Sequence, residues 1–93
     1  MITAIVLVTA EVDRIPEVAE ALASLDGVSE CYSVAGDADL VAIVRVHTHE
    51  EIADTIAGRI NRTDGILATT TMIAFRAYSR HDLEAAFSLG AQA

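Results

Sequence analysis

Shifted by 38 residues, this sequence aligns on itself without a gap. Ala4, Ile5, Val6 and Val8 fall on Ala42, Ile43, Val44 and Val46. Val18 and Ala19 fall on Ile56 and Ala57, and Leu22 falls on Ile60. Asp26-Gly27-Val28 falls on Asp64-Gly65-Ile66. A chain rich in Ala, Val and Ile yields some such matches by chance, but a shared Asp-Gly-aliphatic punctuation at the same phase marks two copies of one unit.

Each copy reads strand, helix, strand. Residues 2–9 are aliphatic and β-branched, which suits a strand. Asp13 is placed to cap a helix, with Pro16 in its first turn, where the missing N–H costs nothing. Ile15, Val18, Ala19, Leu22 and Leu25 follow at helical spacing, and Gly27 is the expected stop. Residues 28–35 read as the second strand. The second copy opens with a strand over 40–46. Thr48-His49-Glu50-Glu51 has the form of a capping box. Ile52, Ala53, Ile56, Ala57 and Ile60 make its apolar stripe, Gly65 its stop, and 66–77 a long last strand. Ser79 is placed to cap a short tail helix carrying Leu83, Ala86 and Phe87.

Two such units in series predict an α+β fold of the ferredoxin-like βαββαβ type. Right-handed crossovers put both helices on one face of a four-stranded antiparallel sheet. Residues 1–78 form the folded domain and 79–93 the C-terminal helix and tail. The strands are apolar on both faces, however. Thr3, Ile5, Leu7 and Thr9 lie opposite Ile2, Ala4, Val6 and Val8. Val41, Ile43, Arg45 and His47 lie opposite Leu40, Ala42, Val44 and Val46. In the last strand Ile66, Ala68, Met72 and Ala74 are expected opposite Leu67, Ile73 and Phe75. Two helices cover one face, and a bare apolar patch of several hundred Å² is foreign to a soluble monomer. A sheet-to-sheet homodimer with two-fold symmetry follows as the expectation, a dimeric α+β barrel. The competing expectation is that the tail helix folds over the second face.

Composition narrows the function. The chain of 93 residues is 53% hydrophobic with a formal charge of −8, which argues against direct contact with nucleic acid or anionic membranes. No apolar run reaches the roughly 18 residues of a membrane span, and the start shows no signal peptide. One cysteine, Cys31, rules out an internal disulfide framework and points to the cytoplasm.

Catalytic and metal chemistry find little to work with. His47 and His49 sit at a strand-to-helix junction, and the remaining imidazole, His81, is far along the chain, so no metal or cofactor is expected. Cys31 has no base beside it in sequence and reads as a buried or interface thiol. Gly36-Asp37-Ala38-Asp39 is a hairpin turn, and equally a place where backbone N–H groups could take a carboxylate and an Asp an ammonium, as an amino acid requires. Thr69 and Thr71 share one face of the last strand and could meet a small polar ligand, although β-propensity alone explains them.

These residues resemble the effector-binding domain of leucine-responsive/AsnC-type (Lrp/AsnC) transcriptional regulators, also called the RAM domain, over roughly residues 1–78. Val34-Ala35-Gly36-Asp37-Ala38-Asp39-Leu40 is similar to the family's V-x-G-x-x-D-hydrophobic turn. Gly65-Ile66 with Thr69 and Thr71 is similar to its G-V-x-x-T-x-T strand. The resemblance implies sheet-packed dimers that often form an octameric ring, a tetramer of dimers, with small amino acids held between dimers. On that analogy Gly36, Asp37 and Ala38 offer backbone groups, Asp39 a carboxylate, and Thr69 and Thr71 line the same region. Two departures stand out. The chain begins at strand one, without the family's helix-turn-helix, and so looks like a stand-alone version that could assemble with full-length relatives. Ala38 stands where the family often has an aromatic.

Three functions compete: an amino-acid sensor acting through oligomerisation, without catalysis; a small cofactor-independent oxygenase or isomerase of the same barrel type; and a ligand-free scaffold. The fold hosts all three.

Overall fold

The structure, a computed structural model, describes residues 1–78 and residue 80. The tail helix expected from Ser79 through Leu83, Ala86 and Phe87, and His81, lie outside the described residues. Four strands, β1 (Ile2–Ala10), β2 (Val28–Ser33), β3 (Leu40–Val46) and β4 (Ile66–Ala74), form one sheet in the order β2-β3-β1-β4, with every neighbouring pair antiparallel. Helix α1 (Ile15–Ala23) joins β1 to β2, and α2 (His49–Thr55) runs from β3 into a wider π-type turn over Ile56–Ile60. This is the ferredoxin-like α+β arrangement.

The core lies between helices and sheet. Ala4, Val6, Val8 and Ala10 of β1 and Leu40, Ala42, Val44 and Val46 of β3 are buried with Val18, Leu22, Ile52 and Ile60 from the helical layer. Alternation along β1 and β3 therefore sorts their side chains as the period-2 pattern requires.

The two Asp-Gly turns interlock the halves. Gly27 (φ +93°) passes so close to buried Thr55 that a Cβ would lie 2.5 Å from its Oγ1. Gly65 (φ +95°) passes Val18, where a Cβ would lie 2.7 Å from Cγ2. Each glycine closes on the other half's helix. An arginine reinforces each closure: Arg59 Nη1 donates to the Asp26 carbonyl at 3.2 Å, and Arg14 Nη1 to Asp64 Oδ2 at 2.9 Å.

Some boundaries differ from the sequence expectation. Asp13 caps nothing: residues Val12–Arg14 form a 3-10 turn and α1 starts at Ile15, with Arg14 as N-cap and Pro16 still in the first turn. The first helix ends at Ala23, with Ser24 donating to Ala21 and Glu20 carbonyls, so Gly27 serves the turn into β2 rather than the helix end. The capping box forms: Thr48 Oγ1 accepts from the Glu51 N–H at 3.1 Å, while Glu51 Oε2 accepts from His47 N–H at 2.9 Å, one residue outside the usual reciprocal bond. β2 stops two residues short of 35 and β4 three short of 77.

Candidate functional site at the C-terminal end of strand β1

Three chain segments meet where β1 ends. β3 begins beside it, with Leu40 opposite Val8, and β4 runs along its other flank, with Thr69 opposite Val8 and Thr71 opposite Val6. The loop from β2 to β3 is tied to this corner by Asp39. Its N–H donates to the Val8 carbonyl at 2.9 Å, its carbonyl accepts from Val34 N–H at 3.1 Å, and its Oδ2 accepts from Ala10 N–H at 3.0 Å. Asp39 is thus a clip that holds the loop against the strand, with one carboxylate oxygen already occupied.

The rest of the loop is unlike Asp39. Gly36 adopts φ +137° with open space around it, and Gly36 and Asp37 are exposed. Among the described residues nothing bonds to the peptide N–H groups of Gly36, Asp37 and Ala38. They form a small set of unbonded donors beside a fixed base.

Thr69 and Thr71 share a face, as expected, with Ile73, and that face is the helix side, because paired residues of antiparallel strands point the same way. Thr69 Oγ1 donates to Asn61 Oδ1 at 2.8 Å, whereas Thr71 is exposed beyond the reach of the helices. The structure therefore brings the loop and Thr69 to one end of the sheet but on opposite flanks of β1.

The uncovered face of the sheet carries Thr3, Ile5, Leu7 and Thr9 of β1, Val41, Ile43 and Arg45 of β3, and Ala68, Thr70, Met72 and Ala74 of β4. One expected position differs. Leu67 is an extra residue in a β-bulge, so Ile66 pairs with Ala10 and turns to the helix side while Ala68, Met72 and Ala74 stay on the open face. Met72 is 46% exposed and Leu67 63%, so this apolar surface is bare within the protomer.

At the β2 edge of the same face lies a polar cluster that sequence reasoning missed. Arg45 Nη1 donates to Glu30 Oε1 and to Ser29 Oγ, each at 2.6 Å, and the Tyr32 hydroxyl donates to Glu30 Oε2. The Tyr32 hydroxyl, and then Arg45, hold the Glu30 carboxyl below the usual carboxylate range. The same carboxylate holds the Tyr32 phenol above its ordinary value. The cluster follows from a second bulge at Ser29, which puts Glu30 and Tyr32 opposite Ile43 and Val41. Only the register, not the spacing, brings Arg45 to them.

Cys31 pairs with Ala42 on the helix side, half-buried, and burial pushes its thiol up, away from nucleophilic use. His47 and His49 are exposed, and among the described residues no group of three or more His, Cys, Asp or Glu could hold a metal ion. Among the same residues no helix is long and apolar enough to cross a membrane.

A four-stranded antiparallel sheet with two helices on one face defines a ferredoxin-like α+β domain. The chain belongs to the Lrp/AsnC ligand binding domain family, whose profile matches residues 3–83. It is similar to a solved protein of Thermus thermophilus, at 45% identity over 86% of this chain and 100% of that one, with a TM-score of 0.80. It is also similar to a feast or famine regulatory protein of Mycobacterium tuberculosis, solved in complex with L-methionine, at 29% identity over 86% of this chain and 54% of that one, with a TM-score of 0.67. An uncharacterised HTH-type transcriptional regulator of Pyrococcus horikoshii is 39% identical over 59 residues, 63% of this chain. That match spans 39% of the Pyrococcus protein's length. The M. tuberculosis and P. horikoshii proteins are named as regulators, and this chain is an Lrp/AsnC-type ligand-binding regulatory domain.

Proposed function

We propose that this domain senses an amino acid at the Gly36–Asp39 loop and responds by changing how its copies assemble. The observation that carries the reading is the loop itself. Asp39 fixes its base, and the unbonded N–H groups of Gly36, Asp37 and Ala38 are free to take a carboxylate. The Asp37 carboxylate and the second oxygen of Asp39 are then the partners for an ammonium. Thr69, bonded to Asn61, and the exposed Thr71 lie across β1 from the loop, so the loop carries the first contacts with the ligand. The methionine complex of the M. tuberculosis relative supports this ligand class. A small Ala38 leaves room for a side chain.

The bare sheet face supports a homodimer paired through it, with dimers joining further around the loops into a ring as large as an octamer. A charge of −8 disfavours direct contact with DNA and favours regulation through a partner, such as a full-length member of the family, in the cytoplasm. We read the domain as a binder and not an enzyme: Tyr32 and Glu30 are an acid/base pair of sorts, but they lie on an open sheet face, not walled into a pocket between helices and sheet.

Thermal unfolding against each of the twenty L-amino acids tests the proposal. A ligand at 100 times its Kd stabilises by about 2.7 kcal/mol, roughly 10–20 °C for a domain of this size. At least one amino acid should raise Tm, and Asp37→Ala should weaken that shift without lowering the unliganded Tm. If all twenty leave Tm unmoved at millimolar concentration, the domain is a scaffold.

A further inference from the structure

The open sheet face runs into a pocket at the end away from the Gly36–Asp39 loop. Thr3 and Ile5 of β1, Arg45 of β3, and Ala74, Phe75 and Arg76 where β4 leaves the sheet line a space of about 440 Å³, the size of a small-molecule site. The register gathers them, since Thr3 pairs with Arg45 on one side and Ala74 on the other. About 17 Å of strand separates Thr3 from Val8, to which the loop is anchored.

Charge sets this pocket apart. The chain carries 14 acidic residues against 6 basic ones, yet among the described residues the lining holds two arginines and no acid. Arg45 is already fixed in place. Its Nη1 donates to Glu30 Oε1 and Ser29 Oγ, and the Tyr32 hydroxyl holds the other Glu30 oxygen. Both hydrogens of Nη1 are thereby used. Nε and Nη2 bond to nothing among the described residues, and they are the pair that meets a carboxylate side-on with two parallel bonds. A guanidinium locked by its neighbours loses little freedom on binding. Among the described residues Arg76 makes no ion pair and no side-chain hydrogen bond. Arg45, Arg76 and Glu30 together sum to one positive charge, which one carboxylate balances. The remaining wall is apolar: Ile5, Ala74 and Phe75, whose ring is fully exposed in the protomer.

We propose that this pocket binds a small monocarboxylate with an apolar tail. The carboxylate bridges Arg45 and Arg76, the Thr3 hydroxyl is a further donor, and the tail lies against Ile5 and Phe75. A free amino acid matches it less well, because its ammonium finds no acid in the lining. The ligand class therefore differs from the one assigned to the loop, and the two sites stand or fall independently. Because the pocket lies toward the end of the sheet and not at its centre, it is compatible with a second copy paired across the open face.

Titration of the full chain with sodium hexanoate, followed by amide NMR, tests it. Saturable shifts at millimolar hexanoate are expected for Thr3, Arg45, Phe75 and Arg76, with the Gly36–Asp39 loop unmoved. Hexylammonium, with the same tail and the opposite charge, should give no saturable shift there, and acetate, without the tail, should bind at least tenfold more weakly. Arg76→Gln, outside the sheet, should keep the native circular dichroism and weaken hexanoate at least tenfold. Arg45→Lys keeps the charge but loses the fork, and should weaken it severalfold. Shifts that never saturate, shifts centred on the loop, a hexylammonium response equal to that of hexanoate, or unchanged affinity in R76Q or R45K each overturn the inference. None of these results bears on amino-acid sensing at the loop, which its own titration decides.

Discussion

At the residue scale, two glycines and one carboxylate decide most. Gly27 and Gly65 combine positive φ with a neighbour closer than any Cβ tolerates, Thr55 in one case and Val18 in the other. Gly27→Ala and Gly65→Ala should each cost about 1–3 kcal/mol, read as a lowered urea midpoint. Gly36→Ala meets no atom and bears only the conformational cost, so it should lose less. Glu30 sets the pH response. Its carboxyl titrates below the ordinary range in the fold, so the charged form favours the native state. That contribution is complete above about pH 4.3 and fades as pH falls through the lowered folded value. Tyr32 mirrors it. Its phenol is raised, so its contribution holds at neutral pH and fades as pH climbs past about 10 through the raised value. Glu30→Gln should flatten the acid limb of a Tm-against-pH curve and lower the alkaline one toward the ordinary phenol range.

At the element scale, α2 depends on its first turn. Thr48→Ala removes the bond from the Glu51 N–H and should cost about 1 kcal/mol, with faster amide exchange confined to the start of α2. That cap was legible in sequence because Thr-x-x-Glu is a local signal, and so was the strand-helix-strand order, because a repeat at one phase is a long-range one. Strand β3 was legible to the residue, since apolar alternation and a following cap bracket it. Less legible was the entry to α1, where the 3-10 turn at Val12–Arg14 takes the place that Asp13 was expected to cap. The bulges at Ser29 and Leu67 were invisible, because a single inserted residue shifts which face follows without changing composition. The polar cluster of Glu30, Tyr32 and Arg45 was hidden for the same reason: it exists only once register is known. At the candidate site, sequence picked the loop and the shared face of Thr69 and Thr71. The clip from Asp39 to Ala10 needed the fold, since 29 residues separate donor and acceptor.

At the scale of the whole molecule, one pair of neighbours in β4 isolates what the bare face is for. Met72 and Ile73 are consecutive, apolar and equally exposed in the protomer, at 46% and 45%. They point in opposite directions: Met72 pairs with Ile5 on the open face, and Ile73 with Ala4 on the helix side. A glutamate at either site meets the same water in a lone subunit, so the two substitutions should cost a monomer about the same. Pairing through the open sheet breaks that equivalence. A standard interface removes about 800 Å² per partner from water, and at the centre of such an interface a carboxylate has no counter-charge from Ile5, Leu7, Val41 or Ile43. Across a two-fold axis each copy also presents its new charge to the other's. Met72→Glu should therefore dissociate the sheet-paired dimer, with a dissociation constant raised at least a hundredfold, about 2.8 kcal/mol at 1.4 kcal/mol per decade. Ile73→Glu should leave it paired. Analytical ultracentrifugation of both variants at matched concentration reads the difference. Equal masses for the two would mean the open face stays wet, and dimerisation would have to be sought elsewhere on the surface.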